Sequence, residues 1–339
     1  MIRFLILTGV FAVSSVLVGC VQTESSNSSD ERQGRITRPV ITPTEDSADE
    51  YEAMSVLGNP LPRQEFTGSS LRKKERELAT ALDNFNSNPD SLDYIIWYGR
   101  RLAYLSRYKD AIGVYSEGLK KHPESYQLLR HRGHRYITIR QFDNAISDLE
   151  KAAFLIRGTE TEVEPDGVPN RLNQPLTSIQ FNVWYHLGLA YYLKGNYDKA
   201  ISAYKKCMEV STNDDLLVAT SDWLYMTYRK IGNVDAAAAL LEPINDKMRI
   251  IENSAYHKRL LMYKGEIEPE DLLDVEVTNE ASELQMATQG YGVGYWFMIQ
   301  GDINRAREIF QQVLETSYWP AFGYIASEVE LNNLLLVQR

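Results

Sequence analysis

The sequence predicts an all-α protein built as a solenoid of antiparallel helix pairs. Gly99 and Gly133 each precede an alanine by 12 residues, and the two alanines, Ala111 and Ala145, are 34 residues apart. The same offset joins Gly188 to Ala200 and Gly294 to Ala306. Small residues allow two helix axes to approach within roughly 8–10 Å. Their recurrence at a fixed period is therefore typical of helical hairpins that stack one on the next.

The turns within these helix pairs are marked by glycine followed by polar residues. The tetrapeptides at 195–198, 232–235 and 301–304 read Gly-Asn-Tyr-Asp, Gly-Asn-Val-Asp and Gly-Asp-Ile-Asn. Glycine ends a helix by adopting a left-handed conformation, and acidic residues stabilise the positive dipole end of the next helix. Pro89 and Pro123, also 34 residues apart, end the second helices of two pairs. We expect helices throughout, with essentially no strand.

The copy at residues 181–214 resembles the tetratricopeptide repeat, or TPR. It reads Trp-x₂-Leu-Gly-x₂-Tyr from Trp184 onward, followed by Ala200 and Tyr204. The resemblance implies a TPR-like helix-turn-helix solenoid of about five repeats plus caps. In this register the solenoid covers residues 70–339, with repeats at about 92–125, 126–159, 181–214, 218–251 and 287–320.

Less regular segments flank and interrupt the repeats. A stripe of apolar residues over 71–85 predicts an N-terminal cap helix. Within 245–286 the pattern fades, but the spacing of apolar residues predicts a helix that ends at Gly265 and a short one that begins at Pro269. The apolar run after Pro320 predicts a closing helix.

The N-terminus carries the features of a secretory signal. One cation precedes an apolar run over residues 4–18, which is too short to span a bilayer comfortably. The sequence Leu-Val-Gly-Cys at 17–20 resembles the lipobox of bacterial lipoproteins. The resemblance implies that the signal peptide 1–19 is removed and that Cys20 is lipidated and anchors the chain in a membrane. By analogy with enteric lipoproteins, Val21 favours the outer membrane, facing the periplasm. An ordinary cleaved signal with a chance cysteine is the alternative.

Residues 20–69 predict a disordered tether between the lipid and the folded part. They are rich in Ser, Thr, Asn, Asp and Pro, and such a segment cannot bury enough apolar surface to offset its chain entropy. If Cys20 is lipidated, Cys207 has no partner for an intramolecular disulfide. Cys207 falls at a small-residue position of a predicted helix, where we expect it to be a packing residue.

Composition and motifs argue against several functions. The chain has 36 Lys and Arg against 46 Asp and Glu, a formal charge of −10, which is a poor match for a nucleic-acid partner. His131 and His134 have a metal-ligand spacing, but no second ligand pair accompanies them. No nucleophile elbow or phosphate-binding loop is present, and the glycines at 290–294 lie inside a helical repeat. We therefore expect no catalytic residue, metal or cofactor, and no enzymatic activity.

A candidate groove for protein or peptide partners follows from the TPR resemblance. In that family the first helix of each pair lines the concave side, and residues three or four apart share one helical face. The groove residues so predicted are Arg100, Arg130, His134, Tyr185, Tyr192, Tyr291 and Tyr295. Arginine binds carboxylates with a planar fork, so the cationic end is a candidate site for an acidic peptide or a C-terminal carboxylate. The alternative is an arginine cluster that is solvated or paired within the chain.

Residues 158–178 form an acidic insertion between the second and third repeats. A connection of about 20 residues without periodicity is uncommon in a compact array. Our hypothesis is that it folds over the concave face and gates the groove. The alternative is a solvated acidic loop.

The signal, lipobox, tether and TPR array together resemble the NlpI-type bacterial lipoproteins. The order of the segments 224–226, 258–267 and 301–302 is similar to the layout of that family. The resemblance implies a dimeric periplasmic adaptor that brings a processing protease and peptidoglycan hydrolases together. We therefore expect a membrane-anchored interaction scaffold of the cell envelope. The alternative is an enzyme or ligand-binding protein whose pocket is closed by the 158–178 loop.

Overall fold

The computed structural model describes residues 51–274 and 276–337, and these residues belong to one compact unit. Its α-helices confirm the predicted all-α, TPR-like solenoid. They are α1 (Gly68–Ser87), α2 (Leu92–Tyr104), α3 (Tyr108–Lys121), α4 (Tyr126–Thr138), α5 (Phe142–Leu155), α6 (Ile179–Leu193), α7 (Tyr197–Glu209), α8 (Asp214–Lys230), α9 (Val234–Leu241), α10 (Ser254–Lys264), α11 (Glu280–Ile299), α12 (Ile303–Leu314) and α13 (Phe322–Val337). A short 3₁₀ helix covers Pro269–Leu272, and two short strands, β1 (Ala53–Met54) and β2 (Pro60–Leu61), form an antiparallel hairpin.

Aromatic side chains explain the glycines of the repeat. A Cβ atom on Gly99 of α2 would collide with the ring of Tyr115 on α3, and one on Gly188 would come within 2.6 Å of Tyr204. Both tyrosines are almost completely buried. The predicted close approach of the paired helices is therefore confirmed, and it is filled by a ring from the second helix.

The turns between paired helices share one left-handed residue, which is not always glycine. Gly195, Gly232 and Gly301 have φ values of 74°, 74° and 91°, as their sequence position predicts. In the first two repeats the corresponding residues are Ser106 and Arg140, with φ values of 56° and 64°. A left-handed conformation is uncommon for residues other than glycine. The surroundings of Arg140 must therefore compensate for its backbone.

The segment before α1 differs from the predicted tether over residues 51–69. Here the chain forms the β1–β2 hairpin, and Ala53 and Leu61 are buried in the core around α2 and α3. The Glu52 carboxylate accepts hydrogen bonds from the backbone N–H groups of Tyr108 and Lys109 at the start of α3. A carboxylate is stabilised there because the first N–H groups of a helix have no partner within it. The interpretation of residues 51–69 as disordered is thus wrong, and residues 20–50 lie outside the described residues.

The two ends of the solenoid meet. Arg140, in the turn after α4, donates from Nη2 and Nε to the carboxylate of Glu328 on α13, over 2.7 and 3.0 Å. Both side chains are buried, with 4% and 1% of their surfaces exposed. The same guanidinium donates to the carbonyl of Trp319, whose indole N–H donates to the carbonyl of Pro62. The N-terminal arm (residues 51–67), the second repeat and the closing helix α13 are therefore joined in one buried polar cluster.

The irregular segment before α11 follows the prediction closely. The helix α10 ends at Gly265, which adopts φ 83°, and Pro269 begins the short 3₁₀ helix. The fourth repeat differs from its predicted bounds, because its second helix, α9, has only 8 residues and ends well before residue 251.

Among the described residues, no helix combines the length and apolarity needed to cross a bilayer.

Candidate functional site

The insertion lies across the inner face of the solenoid, against the first helices of three repeats. Its Glu164 carboxylate pairs with Arg130 of α4, with Nη2 and Oε1 3.0 Å apart, and accepts a 2.9 Å hydrogen bond from Asn182 of α6. Glu164 is only 4% exposed and Arg130 8%. Glu164 is thus anchored in the face, whereas most other residues of the insertion, including Glu160 and Glu162, are exposed. The prediction that the insertion folds over this face is confirmed by its contacts with α2, α4 and α6.

Neighbouring residues hold the insertion in an extended path. Arg100 of α2 donates to the carbonyl of Pro165, and Arg101 donates to that of Gly167. A Cβ atom on Gly167 would collide with the Tyr104 hydroxyl, so only glycine fits this close passage. The predicted pair Arg100 and Arg130 is therefore brought together, and both arginines are engaged within the chain.

The predicted tyrosine-lined part of the groove is not an open surface. Tyr185, Tyr192, Tyr291 and Tyr295 are between 0% and 6% exposed. Burial raises the pKa of all four hydroxyls well above 10, so they remain protonated donors. Their partners also lie inside the protein: Tyr185 donates to Tyr256, Tyr192 and Tyr291 share a hydrogen bond, and Tyr295 donates to the carbonyl of Met226. The interpretation of these tyrosines as partner contacts is wrong.

Aromatic residues outside the predicted groove set fill this inner side. Phe322, at the start of α13, packs within 5.3 Å of the His134 ring and 6.4 Å of the Tyr185 ring, measured between centroids. Trp223 of α8 stacks on Tyr291 at 5.7 Å. The closing helix and the longer α8 therefore turn the C-terminal part of the predicted groove into core. The apolar run after Pro320 was the available signal, but a sequence does not show which side of a solenoid its last helix covers.

The three histidines of the inner side are neutral. The ring centroids of His134 and His186 lie 4.3 Å apart, and both rings pack against Phe322. Desolvation by burial, reinforced by nearby arginines, lowers the pKa of His131, His134 and His186 well below 6.5. Within the described part of the chain, no group of three or more His, Cys, Asp or Glu side chains is arranged to hold a metal ion.

A buried ion pair between α8 and α10 was not predicted from the sequence. Arg259 of α10 and Asp222 of α8 are both 0% exposed, and Nη2 lies 2.9 Å from Oδ2. Within the described structure neither carboxylate oxygen of Asp222 accepts a hydrogen bond, because the guanidinium is directed at the carbonyl of Thr288 and the sulfur of Met226. Burial raises the pKa of Asp222 to about 7 although Arg259 opposes the shift.

The structure describes one of the two cysteines. Cys207 is fully buried and free, and burial raises the pKa of its thiol to about 12. Its prediction as a packing residue is confirmed. Cys20, the predicted lipidation site, lies outside the described residues.

These helix pairs define the class: the chain is a protein of TPR-like repeats. Residues 181–214, which include most of α6 and all of α7, match the family described as "Tetratricopeptide repeat". Repeats of this class form extended surfaces that bind other proteins or peptides.

Relatives and solved structures are similar to parts of the chain. Over 139 residues it is 32% identical to the BBSome complex member BBS4 of Bos taurus, which covers 41% of this chain and 22% of that protein. The chain thus matches about a fifth of the length of that relative. A tetratricopeptide repeat protein from Parabacteroides merdae is 14% identical, with a TM-score of 0.44 over 78% of this chain and all of that one. YrrB, described as a TPR protein with an unusual peptide-binding site, is 13% identical, with a TM-score of 0.40 over 70% of this chain and 93% of that one.

Proposed function

We propose that the protein is a lipid-anchored interaction scaffold of the bacterial cell envelope, held at the outer membrane and facing the periplasm. The observation that carries the scaffold role is the inner face of α2, α4 and α6, which binds an acidic, extended segment of its own chain. A relative that belongs to a multi-protein complex supports the same role. A lipid tether would confine the scaffold to the membrane and raise the effective concentration of its partners.

The proposed partner contact uses the insertion as its gate. The contacts of Glu164 with Arg130 and Asn182 are those that an acidic residue of a partner would make. Buried, charge-assisted hydrogen bonds of this kind contribute about 1.5–3 kcal/mol each. A partner with an acidic extended segment would therefore compete with the insertion for the same face.

A chain that lacks residues 160–174 is expected to bind a synthetic peptide of that sequence when it is added separately. A peptide with Glu164→Gln should bind at least about tenfold more weakly, since it loses the charge that faces Arg130. Fluorescence anisotropy of the labelled peptides measures both affinities.

The matched control is a peptide with Glu160→Gln, because Glu160 is exposed. We expect it to bind like the unmodified peptide. Equal affinity of all three peptides, or no binding by any, would contradict the proposed use of this face.

We further propose which proteins the scaffold brings together. The resemblance to NlpI-type lipoproteins favours a protease and peptidoglycan hydrolases, brought together by a homodimer of the chain. Crosslinking in envelope extracts, with the native and the 160–174-deleted chains as bait, tests it. Recovery of such a hydrolase that increases with the deletion is expected, whereas recovery of outer-membrane assembly or secretion factors alone would replace this role with another.

Replacing Cys20 by serine is expected to move the protein from the membrane fraction to the soluble fraction. Serine has no thiol to accept the lipid, and the many buried CH₂ groups that provide anchorage, about 0.8 kcal/mol each, would be absent. Incorporation of radiolabelled palmitate into the native and Cys20→Ser chains measures the modification. Absence of label in both chains would exclude the lipid anchor. The scaffold role would then be supported only by the repeats.

A further inference from the structure

A cavity of about 350 Å³ lies where the two ends of the solenoid meet. Its walls come from the N-terminal arm, the helices α1, α2, α3, α4, α10 and α11, and the segment that leads into α13. One insertion residue, Val168, also reaches it. The volume is within the range of about 300–1,000 Å³ that small-ligand sites occupy. Neither Glu164 nor its partners Arg130 and Asn182 line this cavity, so it is separate from the Glu164 site.

One charged residue in the cavity wall has no counter-charge. Among residues 51–274 and 276–337, the side chain of Arg135 on α4 forms no hydrogen bond or ion pair, and its guanidinium lies over the Tyr108 ring, 5.5 Å from the ring centroid. The other arginines of α4 and its C-terminal turn each face a carboxylate: Arg130 faces Glu164, Arg132 faces Asp148 and Arg140 faces Glu328. An arginine that stacks on a tyrosine keeps its N–H fork free for a planar anion.

The remaining polar groups of the wall cannot neutralise Arg135. Glu280 pairs with Lys74, with the Nζ and Oε1 atoms 3.6 Å apart. His134 is uncharged, because burial and the adjacent Arg135 lower its pKa well below 6.5. Gln64 is occupied, since it donates to the carbonyl of Ser317 and accepts from the hydroxyl of Ser106. The cavity therefore keeps one unneutralised guanidinium.

Apolar and aromatic side chains supply much of the rest of the wall, and some of them are exposed. Phe66, Tyr318 and Phe322 line it from the two chain ends, and Val168 and Leu284 remain 71% and 42% exposed. Exposed apolar residues beside an unpaired cation favour a ligand that combines a carboxylate with an apolar group.

We infer that this cavity binds a carboxylate that carries an adjoining apolar group, with the carboxylate held by the Arg135 guanidinium. The end of a peptide chain and a free small carboxylic acid share this chemistry. The site does not depend on the scaffold function proposed above, since its ligand needs neither a protein partner nor displacement of Glu164.

Calorimetric titration of the full chain in detergent with N-acetylleucine tests the inference. We expect saturable binding of one molecule per chain, and no saturation with N-acetylleucinamide, which has the same apolar group without the carboxylate. An acetylated Ala-Ala-Ala-Leu peptide separates the two sources. Tighter binding of the peptide than of N-acetylleucine indicates a chain end, and weaker binding indicates a free acid.

The variant Arg135→Gln should weaken N-acetylleucine binding at least tenfold, and Arg135→Lys, which keeps the charge without the fork, should weaken it less. The matched control is Arg72→Gln on α1, an exposed arginine outside the cavity wall, which should bind like the native chain. An unchanged thermal midpoint for Arg135→Lys shows that the effect is not unfolding. Absence of saturable binding to the native chain, equal binding of acid and amide, or equal binding by Arg135→Gln and Arg72→Gln would overturn the inference.

Discussion

Replacing Arg259 by methionine is expected to lower the free energy of unfolding by about 3–5 kcal/mol at pH 8. The change removes the positive charge that faces Asp222, and both side chains are fully buried. A carboxylate left alone in this interior cannot be solvated, and within the described structure no hydrogen-bond donor reaches its oxygens. Urea denaturation followed by circular dichroism measures the loss.

The double variant Asp222→Leu with Arg259→Met separates the charge from the packing. It should recover most of the lost stability, because a buried ion pair contributes little more than apolar residues of similar volume. Arg305→Met is the matched control, since Arg305 forms only a partly exposed pair with Glu308 and such pairs contribute about 0–1 kcal/mol. A double variant as unstable as Arg259→Met alone would show that shape, and not the unpaired charge, explains the loss.

The same pair predicts a dependence on pH. Burial raises the pKa of Asp222 to about 7 in the folded protein, above its ordinary value of about 3.9 in an unfolded chain. Between these values the folded state holds a proton that the unfolded state has lost, so the contribution of Asp222 to stability is complete below pH 4 and is lost as the pH rises through 7. The penalty of Arg259→Met should therefore be smaller at pH 5 than at pH 8, and a penalty that is independent of pH would contradict the raised pKa.

Replacing Arg140 by methionine is the second change with a large expected effect, again about 3–5 kcal/mol of unfolding free energy. It leaves the buried Glu328 carboxylate with the Val56 N–H as its remaining donor among the described residues. It also removes the hydrogen bond to the carbonyl of Trp319. We expect faster amide hydrogen exchange in α13 and in the arm around Val56, measured by mass spectrometry.

Arg140→Gly distinguishes the side chain from the backbone. Residue 140 is left-handed, with φ 64°, and glycine adopts that conformation without strain. The glycine variant should therefore be about 1 kcal/mol more stable than the methionine variant and still less stable than the native chain. Lys206→Met, which breaks an exposed pair with Glu209, is the control. Unchanged exchange in α13 for both Arg140 variants would mean that this ion pair does not hold the closing helix.

The repeats could be predicted because their signals are local. Gly188 and Ala200 are close in sequence and lie on the two helices of one hairpin, α6 and α7, so their spacing alone indicates the fold. The roles of Tyr291 and Glu164 depended on contacts between distant segments. A helical face at the predicted offset becomes core when another element covers it, as α13 and α8 do here. The face has the same sequence whether it is covered or open, so its sequence alone does not distinguish the two.

The ordered arm and the buried pair could not be predicted for the same reason. Residues 51–67 have the composition of a tether, and their order comes from a hairpin and from the α3 terminus that Glu52 caps more than 50 residues away. Arg259 and Asp222 were two charges among many on helices whose burial was not known. Local pattern thus identified the helices, and long-range packing determined which of their faces stay accessible.

The contact between Arg140 and Glu328 can form only after most of the chain has been synthesised. An open array of repeats can form one hairpin at a time, because each pair touches only its neighbours. Here 188 residues separate two partners that must meet, and bringing such distant positions together costs about 5 kcal/mol of loop entropy. The N-terminal repeats therefore remain incompletely stabilised until the final helix has been synthesised. A fusion that disturbs α13 is expected to destabilise the second repeat and the N-terminal arm as well.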